Sequence, residues 1–331
     1  MSSLDLHTLP KFRDGWSYLY VEHCRIDRED KAISVHDAQG RVVVPCASLA
    51  LLMLGPGVSI THAAVLTLVD CGCLVAWCGE QGVRFYAVGM GETRQAGNLL
   101  HQARTWADAA SHMRVVMKLY RMRFREAPVG EGLSLAQLRG MEGIRVRESY
   151  ARASRETGVE WKGRSYKRDS WRSADPVNRA LSTANSCLYG ICHAGIVSAG
   201  FSPAIGFIHT GKMLSFVYDI ADLYKTEVTI PTAFREAAGG MQGLEGRVRR
   251  ACRDAIRESR MLERIVPDVQ RALDVPAAGA EVASDASGGF DVDAAAPGGL
   301  WDPQGDVDGG VNFGGEDDGD DSGASDAGAP G

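Results

Sequence analysis

Within PAIGFIHTGKMLSFVYDIADLYK, Pro203 to Lys225, one imidazole and two carboxylates stand close enough in sequence to act on one ion: His209, then Asp219 and Asp222 at i and i+3. Apolar and small residues recur at helical spacing from Met213 to Lys225, which predicts one helix with both aspartates on the same face and His209 in the turn before it. Such a set can hold a hard divalent cation. Among Phe216, Val217, Ile220 and Leu223, two inward carboxylates need compensation, and a metal ion is a usual form of it. The competing arrangement puts the aspartates on a wet face and leaves His209 to cap a turn; the spacing alone does not choose between them.

The elements that must position these residues change in texture near residue 90. Before it, WSYLYVEH, AISVHD, RVVVPC and LVAWCG are short runs of β-branched and aromatic residues, and DAQG between two of them is a turn signal. After it, NLLHQARTWADAASHMRVVMKLYRMRF, AQLRGMEGIRVRESYARAS, NRALSTANSCLYGICHAGIVSA and the region beyond Leu244 carry apolar residues at helical intervals. The expected fold is α+β: a small β-rich domain over 1–90 and a larger all-helical domain over 91–275.

Residues 276–331 differ from both. They hold 13 acidic and no basic residues, and Gly, Ala and acidic residues fill 38 of the 56 positions. That composition cannot bury a core and predicts a disordered acidic tail, with Phe290, Leu300, Trp301, Val311 and Phe313 among its large apolar residues. The net charge of −6 therefore hides a basic body, with 36 basic against 29 acidic residues, about +7, as phosphate binding requires. On the predicted helix after Leu244, Arg249, Arg253, Arg257, Arg260 and Arg264 recur at steps of four, four, three and four as one stripe. Val248, Cys252, Ala255 and Leu262 lie opposite, so this stripe either meets phosphate or is a solvated face.

Other classes recede. The longest apolar stretch, Ala63 to Trp77, is interrupted by Thr67, Asp70 and Gly72 and is too short for a bilayer. The N-terminal MSSLDLHTLPKFRDG has neither a basic nor an apolar signal region, so no membrane association and a cytoplasmic location are expected. The eight cysteines, at 24, 46, 71, 73, 78, 187, 192 and 252, show no Cys-x-x-Cys pair, and DCGCLVAWCG reads as a buried strand with structural thiols.

Several blocks stand in a familiar order: LLMLGPGVSITHAAV from Leu51, GEQGVRFYAVG from Gly79, LRGMEGIRVRESYA from Leu138, TANSCLYG from Thr183, the segment from Pro203, and RRACRDAIR from Arg249. Across residues 10 to about 275 the chain resembles the CRISPR adaptation integrase of the type I-E subfamily, the DNA-cutting and DNA-joining subunit that inserts new spacers. By itself Glu142 is a surface glutamate paired with Arg145 at i, i+3. The resemblance implies that Glu142, His209 and Asp222 ligate a metal, with Asp219 needed as a further ligand or as an orienting group. Two carboxylates and an imidazole suit Mg²⁺ or Mn²⁺, and the set contains no thiolate to select zinc.

The implied reaction is attack of a DNA 3′-hydroxyl on a phosphodiester of the repeat array, with nucleolytic cutting as a side activity. The implied partners are prespacer and repeat DNA, a second copy of the chain, and a small adaptation protein. Arg84, Lys212 and Lys225 stand in the matched blocks as DNA contacts, with Tyr166, Trp171, Tyr189 and Tyr218 as aromatics able to line its path. The resembling proteins place a DNA-stacking tyrosine near the end of the first strand. His23 stands there in YVEHC, able to stack on a base or to be a plain strand residue. Two rival functions are a stand-alone nuclease for branched DNA and a non-catalytic DNA-binding scaffold; the joint presence of Glu142, His209, Asp219 and Asp222 argues against the scaffold.

Truncation after Val275 should leave the body folded, because the removed segment has too few apolar residues to form a core. A thermal melt of the truncated chain checks this, and loss of its cooperative transition would refute it.

Overall fold

The computed structural model describes residues 18–46, 49, 51–80, 85–89, 96–125, 129–130, 132–164 and 175–275. Arg84, Tyr166, Trp171, the boundary at 90 and the acidic tail lie outside these. Two four-stranded sheets come first. One has the order β1 (Tyr18–Val21), β5 (Leu51–Leu54), β7 (Leu74–Cys78), β8 (Phe85–Gly89), parallel except for the last pair. The other is an antiparallel meander of β2 (Arg25–Glu29), β3 (Ala32–Asp37) and β4 (Gly40–Pro45), extended by the short β6 (Ser59–Ile60) alongside β2. Asp37 closes the DAQG turn by accepting from the amides of Gln39 at 2.7 Å and Gly40 at 3.0 Å.

Apart from the exposed Trp77, the strand pair β5 and β7 is buried on both faces, which explains its unbroken apolar sequence. Leu51, Met53, Leu74 and Ala76 join the core shared with the helices. Leu52, Leu54, Cys73 and Val75 turn the other way, onto Ile26, Ile33 and α1 (His62–Asp70). Strand alternation thus welds the second sheet on one side and the helices on the other.

The helices follow as α2 (Gly97–Ala107), α3 (Ala109–Met122), α4 (Leu135–Thr157), α5 (Pro176–Ser198), α6 (Ser215–Ala221), α7 (Ile230–Ala238), α8 (Leu244–Glu258) and α9 (Met261–Ala272). Their starts are chemically marked. Asp108 caps α3, Asp175 caps α5 with Pro176 behind it, and Ser134 forms a reciprocal capping box with Gln137 at α4. Helix α5 is the axis of the molecule. Its first half packs with α7 and α8 through Leu181, Ala184 and Phe234, and its second half joins the sheet core through Leu188, Ile191 and Ile196. All eight cysteines are buried thiols, and none forms a disulfide. No described helix is long and apolar enough to cross a membrane.

The stretch from Asn98 to Phe124, apolar at helical intervals, forms two helices, because Asp108 leaves helical geometry to cap the second by accepting from the Ser111 amide. Two sequence expectations need correction. The helix expected from Met213 to Lys225 ends at Ala221, and a π-helical turn follows at Lys225–Thr229. The arginine stripe is also broken: Arg260 adopts φ 50° between α8 and α9, so Arg249, Arg253 and Arg257 lie on one helix and Arg264 on the next.

Helix α5 meets the first sheet partly through His193, whose ring lies 4.2 Å from that of Phe85. Burial lowers its pKa from 6.5 to about 4. A depressed folded-state value means that this contribution to stability is complete above pH 6.5 and is lost as pH falls toward 4. His193→Phe should flatten the fall in melting temperature across that window in differential scanning fluorimetry; a slope equal to wild type would refute the assignment.

Candidate functional site

The loop between α5 and α6 carries His209, and its backbone is held by side chains from α2 and α3. The buried amide of Gln102 donates to the carbonyls of Ser202 at 3.1 Å and Ile205 at 2.9 Å, and accepts from Ser202 N–H at 2.8 Å. The Trp106 indole donates to Gly206 O at 3.1 Å, and His112 Nε2 lies 3.0 Å from Phe207 O. Gly206 is demanded by close approach: a Cβ there would collide with the His209 carbonyl and stand 2.7 Å from Ser215.

Asp219, on α6, anchors the same loop from inside. Its side chain is fully buried and accepts from Phe207 N–H at 2.6 Å, Ile208 N–H at 3.1 Å and His209 N–H at 2.9 Å. Its Oδ1 also accepts from His209 Nδ1 at 2.7 Å. That bond fixes the tautomer and leaves Nε2 as the nitrogen able to accept a proton or a cation. The imidazole is 41 % exposed, with Tyr218 edge-on at 5.8 Å between centroids.

Asp222 stands at the end of α6, where the helix gives way, and its partners are all cations. Lys225 Nζ is 2.6 Å from Oδ1, and Arg123 Nη2 is 3.3 Å from Oδ2. The same guanidinium donates through Nη1 to Glu142 Oε1 from α4. Burial pushes the Asp222 carboxyl up, but Lys225 and Arg123, with His209 nearby, outweigh it and hold the group below the usual carboxylate range. For Lys225 burial acts downward, and Asp222 and Tyr189 outweigh it, so the ammonium stays charged.

The two aspartates therefore do not share a task. Neither lies on a wet surface. Asp219 is consumed by the loop, while Asp222 and Glu142 meet through Arg123. His209 stands near enough to Asp222 to act on its charge, yet among the described residues no three His, Cys, Asp or Glu side chains converge tightly enough to enclose an ion. The donor types still fit a hard divalent cation: two carboxylates able to exchange an arginine for a metal, and an imidazole held by a carboxylate. Glu142 does not pair with Arg145, which instead donates to Thr226 Oγ1 at 2.8 Å and lies over the Phe124 ring.

Arg123 is the residue that sequence reasoning missed. Only 3 % of its side chain is exposed, and nothing in RMRFR separates it from Arg121 and Arg125. Of the expected DNA contacts, Lys212 is exposed at the loop tip, whereas Lys225 is committed to Asp222 and lies 5.2 Å from the Tyr189 ring centre. Arg249 pairs with Glu80 at 3.1 Å and Arg253 with its neighbour Asp254 at 2.8 Å; Arg257 is exposed. Arg264 is held at 2.7 and 2.9 Å by Glu227. Arg253 also lines a cavity of about 310 Å³ with Tyr20, Glu22 and Asp37. His23 is exposed beyond the end of β1 at φ 49°, a turn residue rather than a strand residue.

Residues 122–241 match the family described as CRISPR associated protein Cas1. The CRISPR-associated endonuclease Cas1 2 of Thermus thermophilus is 57 % identical over 321 residues, 96 % of each chain. The CRISPR-associated endonuclease Cas1 of Escherichia coli is 42 % identical over 274 residues, 82 % of this chain and 89 % of that one. A solved structure described as a TtCas1–DNA complex superposes with a TM-score of 0.74 at 60 % identity, covering 80 % of this chain and 99 % of that one.

Replacing Asp219 should damage the fold before it damages anything else. Asp219→Ala orphans the buried Phe207 amide, worth about 1–3 kcal/mol alone, and releases the imidazole. Urea unfolding should show that loss or more, and an unchanged midpoint would contradict the anchoring role.

Proposed function

Since the chain belongs to the Cas1 family, we propose that it is a metal-dependent DNA integrase of CRISPR adaptation, of the type I-E subfamily, which joins prespacer 3′-hydroxyl ends to phosphodiesters of the repeat array. The observation that carries this reading is the meeting of Glu142 and Asp222 on one buried guanidinium beside an imidazole locked by Asp219. A pure scaffold has no need of two partly buried carboxylates whose side-chain partners among the described residues are exchangeable cations. Glu142, Asp222 and His209 Nε2 would hold Mg²⁺ or Mn²⁺. When bound, that cation supplies polarisation of the scissile phosphate and activation of the attacking oxygen.

The chain's own residues do the positioning. Asp219 keeps His209 in one tautomer and one orientation. Lys225 keeps a positive charge beside Asp222, where a phosphate oxygen gains from it, and the Tyr189–Tyr218 pair, 4.9 Å apart, walls the site with aromatic surface. Arg249, Arg253 and Arg257 on α8, with Lys212, supply cationic surface for the DNA backbone. The DNA complex solved for the 60 % identical relative supports DNA as the substrate. A homodimer working with a small adaptation partner, in the cytoplasm, is proposed on the family resemblance. The endonuclease names of the relatives favour one second reading, in which water is the attacking group and branched DNA is hydrolysed.

A short duplex with free 3′ ends, incubated with a supercoiled repeat plasmid, Mn²⁺ and the small partner, should become joined to the plasmid. Glu142→Ala, His209→Ala and Asp222→Ala should each reduce joining to background while duplex binding persists, because the arginine surface remains. Dideoxy-terminated duplex removes the nucleophile alone, so joining should vanish. Nicking as the sole activity under all these conditions would favour the hydrolytic reading, and full joining by any of the three variants would overturn its ligand assignment.

A further inference from the structure

Arg123 holds the two carboxylates in an unusual way. It follows α3 directly, is nearly sealed from solvent, and reaches Glu142 with Nη1 and Asp222 with Nη2. Its Nε and Nη2 make no hydrogen bond among the described residues, although a buried guanidinium normally spends all five donors. The Tyr120 ring, 4.8 Å from its central carbon, adds a cation–π contact and no acceptor. Arg123 is therefore held by charge more than by a completed hydrogen-bond fork. Lys225 occupies the remaining Asp222 oxygen. Two carboxylates thus face two cations, and the cluster is electrically balanced by side chains alone.

Any divalent cation admitted to that cluster brings an excess of two positive charges into a poorly solvated site, where like charges a few ångströms apart interact strongly. Either Arg123 withdraws from the carboxylates or an anion arrives with the metal. We infer that Arg123 is a resident counter-ion that competes with the divalent metal for Glu142 and Asp222, so that metal binds tightly only when DNA phosphate enters the site. By linkage the coupling is reciprocal: metal must tighten DNA to the same degree that DNA tightens metal. The consequence is restraint, because a nuclease site that loads its metal poorly without substrate has little standing activity. This inference rests on the metal-binding reading above and assigns a positioning role to Arg123, which touches the ligands and not the reacting atoms.

The test uses the full chain stripped with EDTA and Mn²⁺ as the probe, followed by electron paramagnetic resonance of the free ion and by calorimetry. Without DNA, Arg123→Gln should bind Mn²⁺ at least about tenfold more tightly than wild type, roughly 1.4 kcal/mol. A short duplex should tighten Mn²⁺ binding by wild type and do so much less in the variant. Arg123→Lys, which keeps the charge but lacks the fork, should fall between them and serves if the glutamine variant folds poorly. Mn²⁺ should also raise the melting temperature of Arg123→Gln by more than that of wild type, an effect that a merely structural arginine would not produce. Asp222→Ala separates the two layers. If Mn²⁺ binding is lost in Asp222→Ala but is equal or weaker in Arg123→Gln, the metal site stands and the counter-ion inference falls. If no protein binds Mn²⁺ even with DNA present, both fall.

Discussion

A fully buried carboxylate at Asp219 sets the terms for everything around it. A carboxyl group without solvent needs donors around it, and this one gathers three consecutive backbone amides and an imidazole. To supply three amides from one side the loop must curl tightly, which brings Gly206 against the His209 carbonyl and excludes any side chain there. Curling leaves the loop carbonyls pointing outward, and Gln102, Trp106 and His112 take up those of Ser202, Ile205, Gly206 and Phe207. The break at Asp108 serves the same end, because it lets α2 and α3 present these side chains from two directions.

The sequence was most legible where local pattern and burial coincide. AISVHD appears as β3 from first residue to last, and DAQG turns because an aspartate can cap its own turn. Strands β5 and β7 show why alternation is not a general guide, since burial on both faces removes it. The break at Asp108 corresponds to a capping aspartate three residues before Ser111, set within an apolar period that runs through it. Arg260 gave no signal, because an arginine in the left-handed region is fixed by the packing of α8 and α9 and not by its own preference.

At the site the division is sharper. His209, Asp219 and Asp222 stand out from spacing alone, whereas Glu142 needed the family resemblance, because its partner Arg123 lies 19 positions earlier, just past the end of α3. The i, i+3 pairing with Arg145 was sound helix physics and still gave the wrong partner: a weak exposed pair yields to a buried guanidinium and to the pull of Thr226 and Phe124 on Arg145. The two aspartates nevertheless do different work: Asp222, which caps α6 with helical backbone angles, meets Arg123 and Lys225, while Asp219 stays with the loop.

The cationic surface follows the same logic of exchangeable partners. Arg249 and Arg253 are already paired, to Glu80 and Asp254, in contacts whose carboxylates are 59 % and 54 % exposed. Pairs this wet contribute little to stability, so a phosphate can replace the carboxylate at small cost. Arg264 is different in kind, because Glu227 holds both its terminal nitrogens and the Tyr224 ring lies 5.3 Å from its central carbon. It binds α9 to the π-helical turn that carries Lys225, so its charge serves the fold. A row of arginines at regular spacing is thus two populations, sorted by how well each present partner is shielded from water.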